Sequence, residues 1–344
     1  MNKKSLIFAL LFLASTALSQ TEPAPAVSNI SIDAGSFNFY FSPSVYHMFG
    51  RTEYEFSMTS QVADTGGQFV DSTSRRLLEY PLDVVMVGGS FGIMSLEESE
   101  KFWSIEASYH TNINDPKKSM YDSDFSTLEN YYNETLVSYT HSNAEMSTTL
   151  INIEATRELF SMSNVSFAIL AGFRHQKIEQ RVIGYNGYVV TDPLNPSTSQ
   201  QEVTYDDDAL YYRVVYKGPQ LGALTRIGLT DNIQLDLKTA GSLTWVNDFD
   251  DHYLRNFRTF ADGHGLGFIS NLNVRWYLNP QFGGHATFID FMGSFDYYES
   301  NITKTQEQYQ FSPTEKPVGY TTGGLPHDIK SQQVRLGLRF GMLL

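Results

Sequence analysis

The sequence predicts an all-β protein, a ten-stranded antiparallel transmembrane β-barrel that extends above an outer membrane. Three observations support this prediction. Apolar and polar residues alternate along most of the 344-residue chain, which is the period of a strand with two different faces. The alternating segments number ten, and single-chain bacterial barrels have an even number of strands. The connections are alternately short and long, as inner turns and outer loops of such barrels are.

The first 20 residues have the composition of a secretory signal peptide. Lys3 and Lys4 precede an uncharged, apolar-rich stretch, and Ala17-Leu18-Ser19 has the small-x-small pattern of a cleavage site. We therefore expect residues 1–20 to be removed and residues 21–344 to form one barrel domain. A retained anchor helix is the alternative, but this stretch is short and rich in Ser and Thr for a membrane-spanning helix.

The alternating segments are longer than the strands of soluble sandwiches, which run about 5–6 residues. In the seventh segment, Leu235 and Leu237 share one face while Asp236 and Lys238 share the other. A strand crosses a bilayer in about 9–11 residues, so the longest segments should also project beyond the membrane. Charges on the second face suit a wet barrel interior better than a dry core. The predicted strands are 36–57, 73–93, 101–113, 134–158, 164–190, 203–227, 232–252, 262–279, 283–303 and 330–344.

The connections alternate in length in a way that fixes the orientation of the barrel. Short turns are predicted at Glu97-Glu98-Ser99, Ser161-Met162-Ser163, Thr230-Asp231 and Asn279-Pro280. Long loops are predicted at 58–72, 114–133, 191–202, 253–261 and 304–329. If the N-terminus lies on the inner side, every long loop falls on the outer side, as expected for this class of barrel.

The composition excludes several classes of protein. The chain has no Cys, so a disulfide scaffold, a thiolate metal site and a lipid-anchored lipoprotein are impossible. Aromatic residues make up 14% of the chain, which argues against disorder. The net charge of −14 disfavours nucleic-acid binding. The His residues show no metal-ligand spacing, so we expect no bound metal.

Two acidic clusters lie where predicted strands reach the outer rim. The first contains Asp122 and Asp124, and two close carboxylates raise the pKa of one of them. The second contains Asp248, Asp250 and His252. Each cluster by itself also fits a solvated acidic loop, and spaced carboxylates could instead hold a calcium ion.

The alternation of odd- and even-numbered residues along the strand places the second cluster inside the barrel. The apolar residues of its strand are odd-numbered up to Trp245, whereas Asp248, Asp250 and His252 are even-numbered. A regular strand therefore points all three inward and points Asp251 outward. An Asp beside a His can orient the imidazole, which leaves the other ring nitrogen as a general base.

The two clusters together resemble the motifs of the omptin family, which are ten-stranded outer-membrane aspartyl endopeptidases. Met120-Tyr121-Asp122-Ser123-Asp124-Phe125 is similar to the family's Met-x-Asp-x-Asp-aromatic motif. Asp248-Phe249-Asp250-Asp251-His252-Tyr253 is similar to its Asp-x-Asp-Glu-His-Tyr motif. Weaker similarities are Gly50-Arg51-Thr52, Tyr216-Lys217-Gly218-Pro219 and Trp245. The resemblance is specific only at the two acidic motifs.

The resemblance implies a catalytic role for four residues, with no metal and no acyl-enzyme. Asp122 and Asp124 would hold the attacking water or stabilise the tetrahedral intermediate. His252, oriented by Asp250, would activate that water. These roles imply hydrolysis of peptide bonds by an aspartic-type endopeptidase at the cell surface.

The resemblance also implies how a substrate is bound. Asp248 matches a family acid that binds a P1 arginine, so basic polypeptide substrates are expected, and acidic outer loops would favour them. The family's second P1 acid aligns with Tyr54, which lies between Glu53 and Glu55. A one-residue bulge would bring Glu55 to that position.

The family further requires lipopolysaccharide as an activator, bound by basic residues on the barrel exterior. The sequence identifies no such lipid-binding residues. The localisation implied is the bacterial outer membrane, with the active site facing outside. The rival interpretation is a non-enzymatic outer-membrane barrel, either a narrow pore or an adhesin with acidic, calcium-binding loops.

Overall fold

The computed structural model describes residues 38–63, 67–95, 102–115, 117–279, 287–310 and 317–343. The predicted signal peptide, the predicted turn at Glu97-Glu98-Ser99 and Pro280 lie outside the described residues. Over the described ranges, no helix has the length and apolar composition needed to cross a membrane. The strands are β1 (Asn38–Ala63), β2 (Phe69–Met94), β3 (Trp103–Asn112), β4 (Lys118–Leu128), β5 (Tyr132–Met162), β6 (Val165–Val190), β7 (Gln200–Thr230), β8 (Ile233–His252), β9 (Phe257–Asn279), β10 (Thr287–Gln308) and β11 (Thr321–Leu343).

The strands form a closed antiparallel ring. β1 pairs with β2 on one side and with β11 on the other, which leaves the ring without an edge at this point. β3 and β4 are two parts of one barrel strand, because both pair with β2 and both pair with β5. The interruption lies between Asn112 and Lys118. Counted this way the ring has ten strands, and the predicted fold class is confirmed.

The outer connections are shorter than predicted, because the strands continue into them. β1 and β2 pair up to Ala63 and Phe69, so most of the predicted loop 58–72 is strand. Most of the predicted loop 114–133 is β4, which carries the first acidic cluster. Asn130 and Asn256 have positive φ angles of 67° and 55° in the tight turns that remain. These strand extensions carry polar residues on both faces. Their sequence therefore shows no apolar–polar alternation, and it predicts them as loops.

A band of exposed apolar side chains surrounds the lower part of the barrel, the end where β1 begins and β11 ends. Large exposed apolar surfaces are rare in water-soluble monomers, and an outward apolar band is typical of membrane barrels. Above this band, at the upper end, the outward face carries charges such as Arg51, Glu53 and Glu79. Residues of the band on the ten strands include Phe41, Val45, Phe91, Ile105, Tyr109, Ile151, Ile153, Ile169, Phe173, Leu221, Leu237, Leu243, Leu266, Leu272, Phe291, Phe295, Leu336 and Leu338.

The lower interior of the barrel is filled by charged side chains in ion pairs. Arg275 donates to Asp290 through two hydrogen bonds of 2.8 and 3.0 Å, and Arg339 donates to the same carboxylate at 2.7 Å. Arg174 and Arg335 both pair with Asp296. The pairing offsets the desolvation cost that each of these charges would have if it were buried without a partner.

Aromatic and aliphatic side chains close the interior above the ion pairs. The ring of Tyr80 on β2 stacks on that of Tyr212 on β7, with 4.3 Å between centroids. Tyr216 on β7 stacks on Tyr298 on β10 at 4.8 Å. These contacts join strands that are not neighbours in the ring. The packed layer therefore forms the floor on which the upper cavity rests.

Candidate active site

The strand register turns both acidic clusters toward the barrel interior. Asp122 and Asp124 on β4 lie opposite Leu78 and Arg76 on β2. Leu78 is buried in the interior cluster, and residues directly opposite in a ladder share a face. On β8, the even-numbered residues of the second cluster are buried, and Asp250 lies opposite the buried Tyr212. The predicted inward orientation of the second cluster is confirmed.

His252 and Asp250 form a buried hydrogen-bonded pair. The His252 Nε2 atom lies 2.9 Å from Asp250 Oδ2, and the residues are 8% and 1% exposed. The imidazole also packs on the Phe257 ring, with 4.3 Å between centroids. When Nε2 carries the proton and donates it to the carboxylate, Nδ1 has a free lone pair. The pair thus presents the second ring nitrogen as a proton acceptor.

The surroundings of His252 favour its neutral form. Burial lowers the pKa of the imidazole below its ordinary value of 6.5, while the adjacent Asp250 acts in the opposite direction. Arg76 and Arg255 lower the pKa further by charge repulsion. A neutral imidazole near neutral pH is the state that a general base needs.

Arg76 separates the two carboxylates of the first cluster into different roles. Its Nε donates to Asp122 Oδ1 at 3.0 Å, and its Nη2 donates to Asp122 Oδ2. The same Nε lies 3.6 Å from Asp124 Oδ1. Burial raises the pKa of Asp124, and Arg76 opposes that rise. Arg76 was not among the site residues predicted from the sequence, although its even number on β2 places it on the inward face with Leu78.

One cavity of about 540 Å³ brings the two clusters together near the upper end of the barrel. Asp124 lines it from β4, and Asp250 and His252 line it from β8. Arg76 and Lys304 contribute cationic groups to the lining of the same cavity. The cavity thus brings Asp124 together with the Asp250–His252 pair, while Asp122 is hydrogen-bonded to Arg76 and is not among the residues that line the cavity.

Asp248 lies below this cavity rather than in its wall. Its Oδ2 atom is 3.3 Å from Nε2 of His327, and burial raises the pKa of its carboxyl group. The ring of Tyr54 covers His327, with 4.6 Å between centroids. Tyr54 lines the cavity, whereas Asp248 is not among its lining residues. The expected contact of Asp248 with a P1 arginine stays a prediction.

Glu55 lies on the outer face of β1, away from the cavity. The β1–β2 register runs without a shift from Asn38 to Ala63, so the bulge that would turn Glu55 inward is absent. Tyr54 takes the inward position instead, and Glu55 is 3.7 Å from the guanidinium of Arg75. The expectation that a bulge restores Glu55 to the substrate site is wrong.

Asp251 points outward, as predicted, and Arg258 covers its carboxylate. Asp251 lies opposite Arg258 on β9, and Arg258 Nε donates to its Oδ2 at 3.1 Å.

In the parts of the chain that the structure describes, no group of three or more His, Asp or Glu side chains could hold a metal ion.

Comparison with known proteins agrees on the fold. No family model matches the sequence, and no curated protein sequence matches it. Among solved structures, the outer membrane protease OmpT from Escherichia coli matches with a TM-score of 0.66 at 13% identity, covering 92% of this chain and 100% of that chain. The outer membrane protein OprG from Pseudomonas aeruginosa gives a TM-score of 0.31 at 7% identity, covering 88% and 95%. At this identity, the likeness to OmpT shows the fold alone.

Proposed function

We propose that the chain is an outer-membrane endopeptidase of omptin type that hydrolyses peptide bonds with an activated water. The observation that carries the proposal is the buried His252–Asp250 pair, which lines one cavity together with Asp124. A carboxylate-oriented imidazole and a second carboxylate in one cavity are the groups that water activation needs. The structural likeness to a barrel described as an outer membrane protease supports the same choice.

In the proposed reaction, a water molecule binds between Asp124 and Nδ1 of His252. Its oxygen attacks the carbonyl carbon of the scissile bond while its proton moves to Nδ1. The imidazolium formed is stabilised by the Nε2–H bond to Asp250 and then protonates the leaving amine. Asp124 is a catalytic residue because it holds the water, and Asp122 is a positioning residue that acts through Arg76.

The proposal does not include the basic P1 residue that the omptin resemblance implies. That expectation rested on Asp248 and on an acid near Tyr54. Asp248 is beneath Tyr54 and next to His327, and Glu55 lies outside the barrel wall. The proposal is therefore a polypeptide hydrolase whose specificity is set by other groups of the cavity.

The proposed location is the bacterial outer membrane, with the cavity facing outside. The apolar band on the barrel exterior provides a lipid-contacting surface, and the cavity lies above that band. Lipopolysaccharide remains part of the proposal as an activator, on the basis of the omptin resemblance.

The test is cleavage of a mixed peptide library by the refolded barrel, with and without lipopolysaccharide. His252→Ala should lower the rate about 10²–10⁴-fold, because a general base contributes about that factor. His264→Ala is the matched control, since His264 lies on the outer face beside Trp245 and should leave the rate unchanged. Heat-modifiable gel migration verifies that each variant is folded. Equal cleavage by wild type and His252→Ala would refute the proposal.

A further inference from the structure

Lys304 is a buried cation that the proposed hydrolysis does not use. It lies on β10, opposite the buried Ala261 of β9, and is only 7% exposed. Its Nζ donates to Tyr54 Oη at 2.6 Å and lies 4.1 Å from the centroid of the Phe56 ring. All three residues line the upper cavity, so the ammonium is directed into the space that a substrate would occupy.

The Lys304 ammonium has no ion-pair partner among the described residues. Asp250 is hydrogen-bonded to His252, and Asp248 lies against His327 below Tyr54. Burial lowers the pKa of Lys304 to about 8, while the charges of Asp250 and Asp248 act in the opposite direction, so the group is still mostly protonated at neutral pH. A buried charge without a partner is unfavourable, and a ligand of opposite charge that enters the cavity would offset that cost.

We propose that this part of the cavity is a subsite for a carboxylate of the polypeptide substrate, bound by Lys304 and Tyr54. Lys304 Nζ uses one of its three donors on Tyr54, and the others are available to a carboxylate. Tyr54 accepts that hydrogen bond, so its own O–H can donate to the same carboxylate. Arg255 also lines the cavity and adds positive potential, whereas the charge of Arg76 is balanced by Asp122.

The inference rests on the proposed function, because it assumes that polypeptides enter this cavity. It assigns them an acidic residue where the omptin resemblance implies a basic one. The physical reason is which side chains face the cavity. Tyr54 and Lys304 face inward, while the acidic Glu55 faces outward. A lysine or arginine side chain would here meet like charge, which is unfavourable.

Peptide binding to the His252→Ala variant tests the subsite without any need for turnover. The probes are fluorescent, acetylated and amidated polyalanine peptides that carry one central Glu, Gln or Lys. The Glu peptide should bind about tenfold or more tightly than the Gln peptide, since a charge-assisted hydrogen bond supports such a ratio. A polyalanine peptide with a free C-terminus distinguishes a terminal carboxylate from a side-chain one.

Three further variants in the same background connect the preference to Lys304. Lys304→Met should abolish the discrimination between Glu and Gln, and Lys304→Arg should keep it. Lys330→Met is the control, because Lys330 lies 3.9 Å from Glu299 outside the cavity, and should change nothing. Equal binding of Glu and Gln peptides, tighter binding of the Lys peptide, no binding of any peptide, or discrimination that survives Lys304→Met would each overturn the subsite.

The two proposals fail in different ways. Cleavage that depends on His252 but shows no carboxylate preference in the binding assay refutes the subsite and leaves the peptidase intact. A carboxylate preference that depends on Lys304, without cleavage of any library member, supports the subsite and refutes the peptidase.

Discussion

Arg76 on β2 holds Asp122 on β4 by two hydrogen bonds and leaves Asp124, two residues further along the same face, in the cavity wall. A pair of carboxylates that looks symmetric in sequence is thereby divided into one structural and one cavity-facing group. Bidentate Arg–carboxylate pairs fix geometry as well as charge. The position of Asp124 relative to His252 thus depends on a residue that belongs to neither acidic cluster.

Replacing Arg76 should affect both stability and cleavage. Arg76→Met leaves the largely buried Asp122 without its partner, and we expect a loss of about 2–3 kcal/mol in the free energy of unfolding. Cleavage should fall as well, because Asp124 loses its neighbour. Urea titration of the refolded barrel measures the first effect. Arg213→Met is the control, since Arg213 packs on Phe249 outside the cavity. If Arg213→Met lowered the free energy of unfolding by the same amount, the loss would not be specific to the Arg76–Asp122 pair.

The pH dependence of cleavage should reflect the buried His252. In the proposed mechanism the neutral imidazole is the active form. Its pKa is lowered below 6.5, so the rate should fall only when the pH drops below 6.5. Asp250 raises the pKa of His252, so Asp250→Asn should shift the acid limb to lower pH while also reducing the rate. Rates between pH 4.5 and pH 8 measure both effects. An acid limb above pH 6.5 in the wild type would contradict the role of His252.

Lys304 should give the folded barrel a pH-dependent stability. Its pKa falls from 10.5 in the unfolded chain to about 8 in the folded one. Between these values the unfolded state binds more protons, so the unfavourable contribution of Lys304 to stability is largest below pH 8 and diminishes as the pH rises toward 10.5. From pH 7 to pH 9.5, wild type should gain about 2 kcal/mol relative to Lys304→Met. Lys330→Met should show no such trend, and a flat difference for Lys304→Met would contradict the prediction.

Glu55 should be dispensable for substrate binding. It faces outward beside Arg75, and exposed ion pairs contribute about 0–1 kcal/mol. We therefore expect Glu55→Gln to leave peptide affinity and cleavage unchanged. Binding curves with the Glu, Gln and Lys peptides measure this directly. A loss of Lys-peptide binding in this variant would show that Glu55 reaches the substrate after all.

The barrel should not conduct ions as an open pore. Ring stacking between Tyr80 and Tyr212, and between Tyr216 and Tyr298, crosses the interior. A hydrogen bond of 2.8 Å between Gln176 and Gln333 also joins β6 to β11 across the interior. Planar-bilayer recordings should therefore show no stable conductance steps. Regular steps would favour the non-enzymatic pore.

The sequence by itself determined the strand character, the number of barrel strands and the inward face of Asp248, Asp250 and His252. These features follow from a period of two, because the side chains of a regular strand alternate between its faces. The extent of the strands beyond the membrane was not predictable in the same way. Above the apolar band both faces are polar, and alternation there carries no signal.

Only the tertiary structure decided which groups meet in the cavity. Arg76, Lys304 and His327 come from β2, β10 and β11, and nothing in their local sequence ties them to the acidic clusters. The register of β1 placed Tyr54 inside and Glu55 outside, because a shift by one residue reverses every side chain of a strand. Closure of the ring then brought these strands together around one cavity. The charge of the cavity depends on that closure, since each strand contributes only one or two of its charged groups.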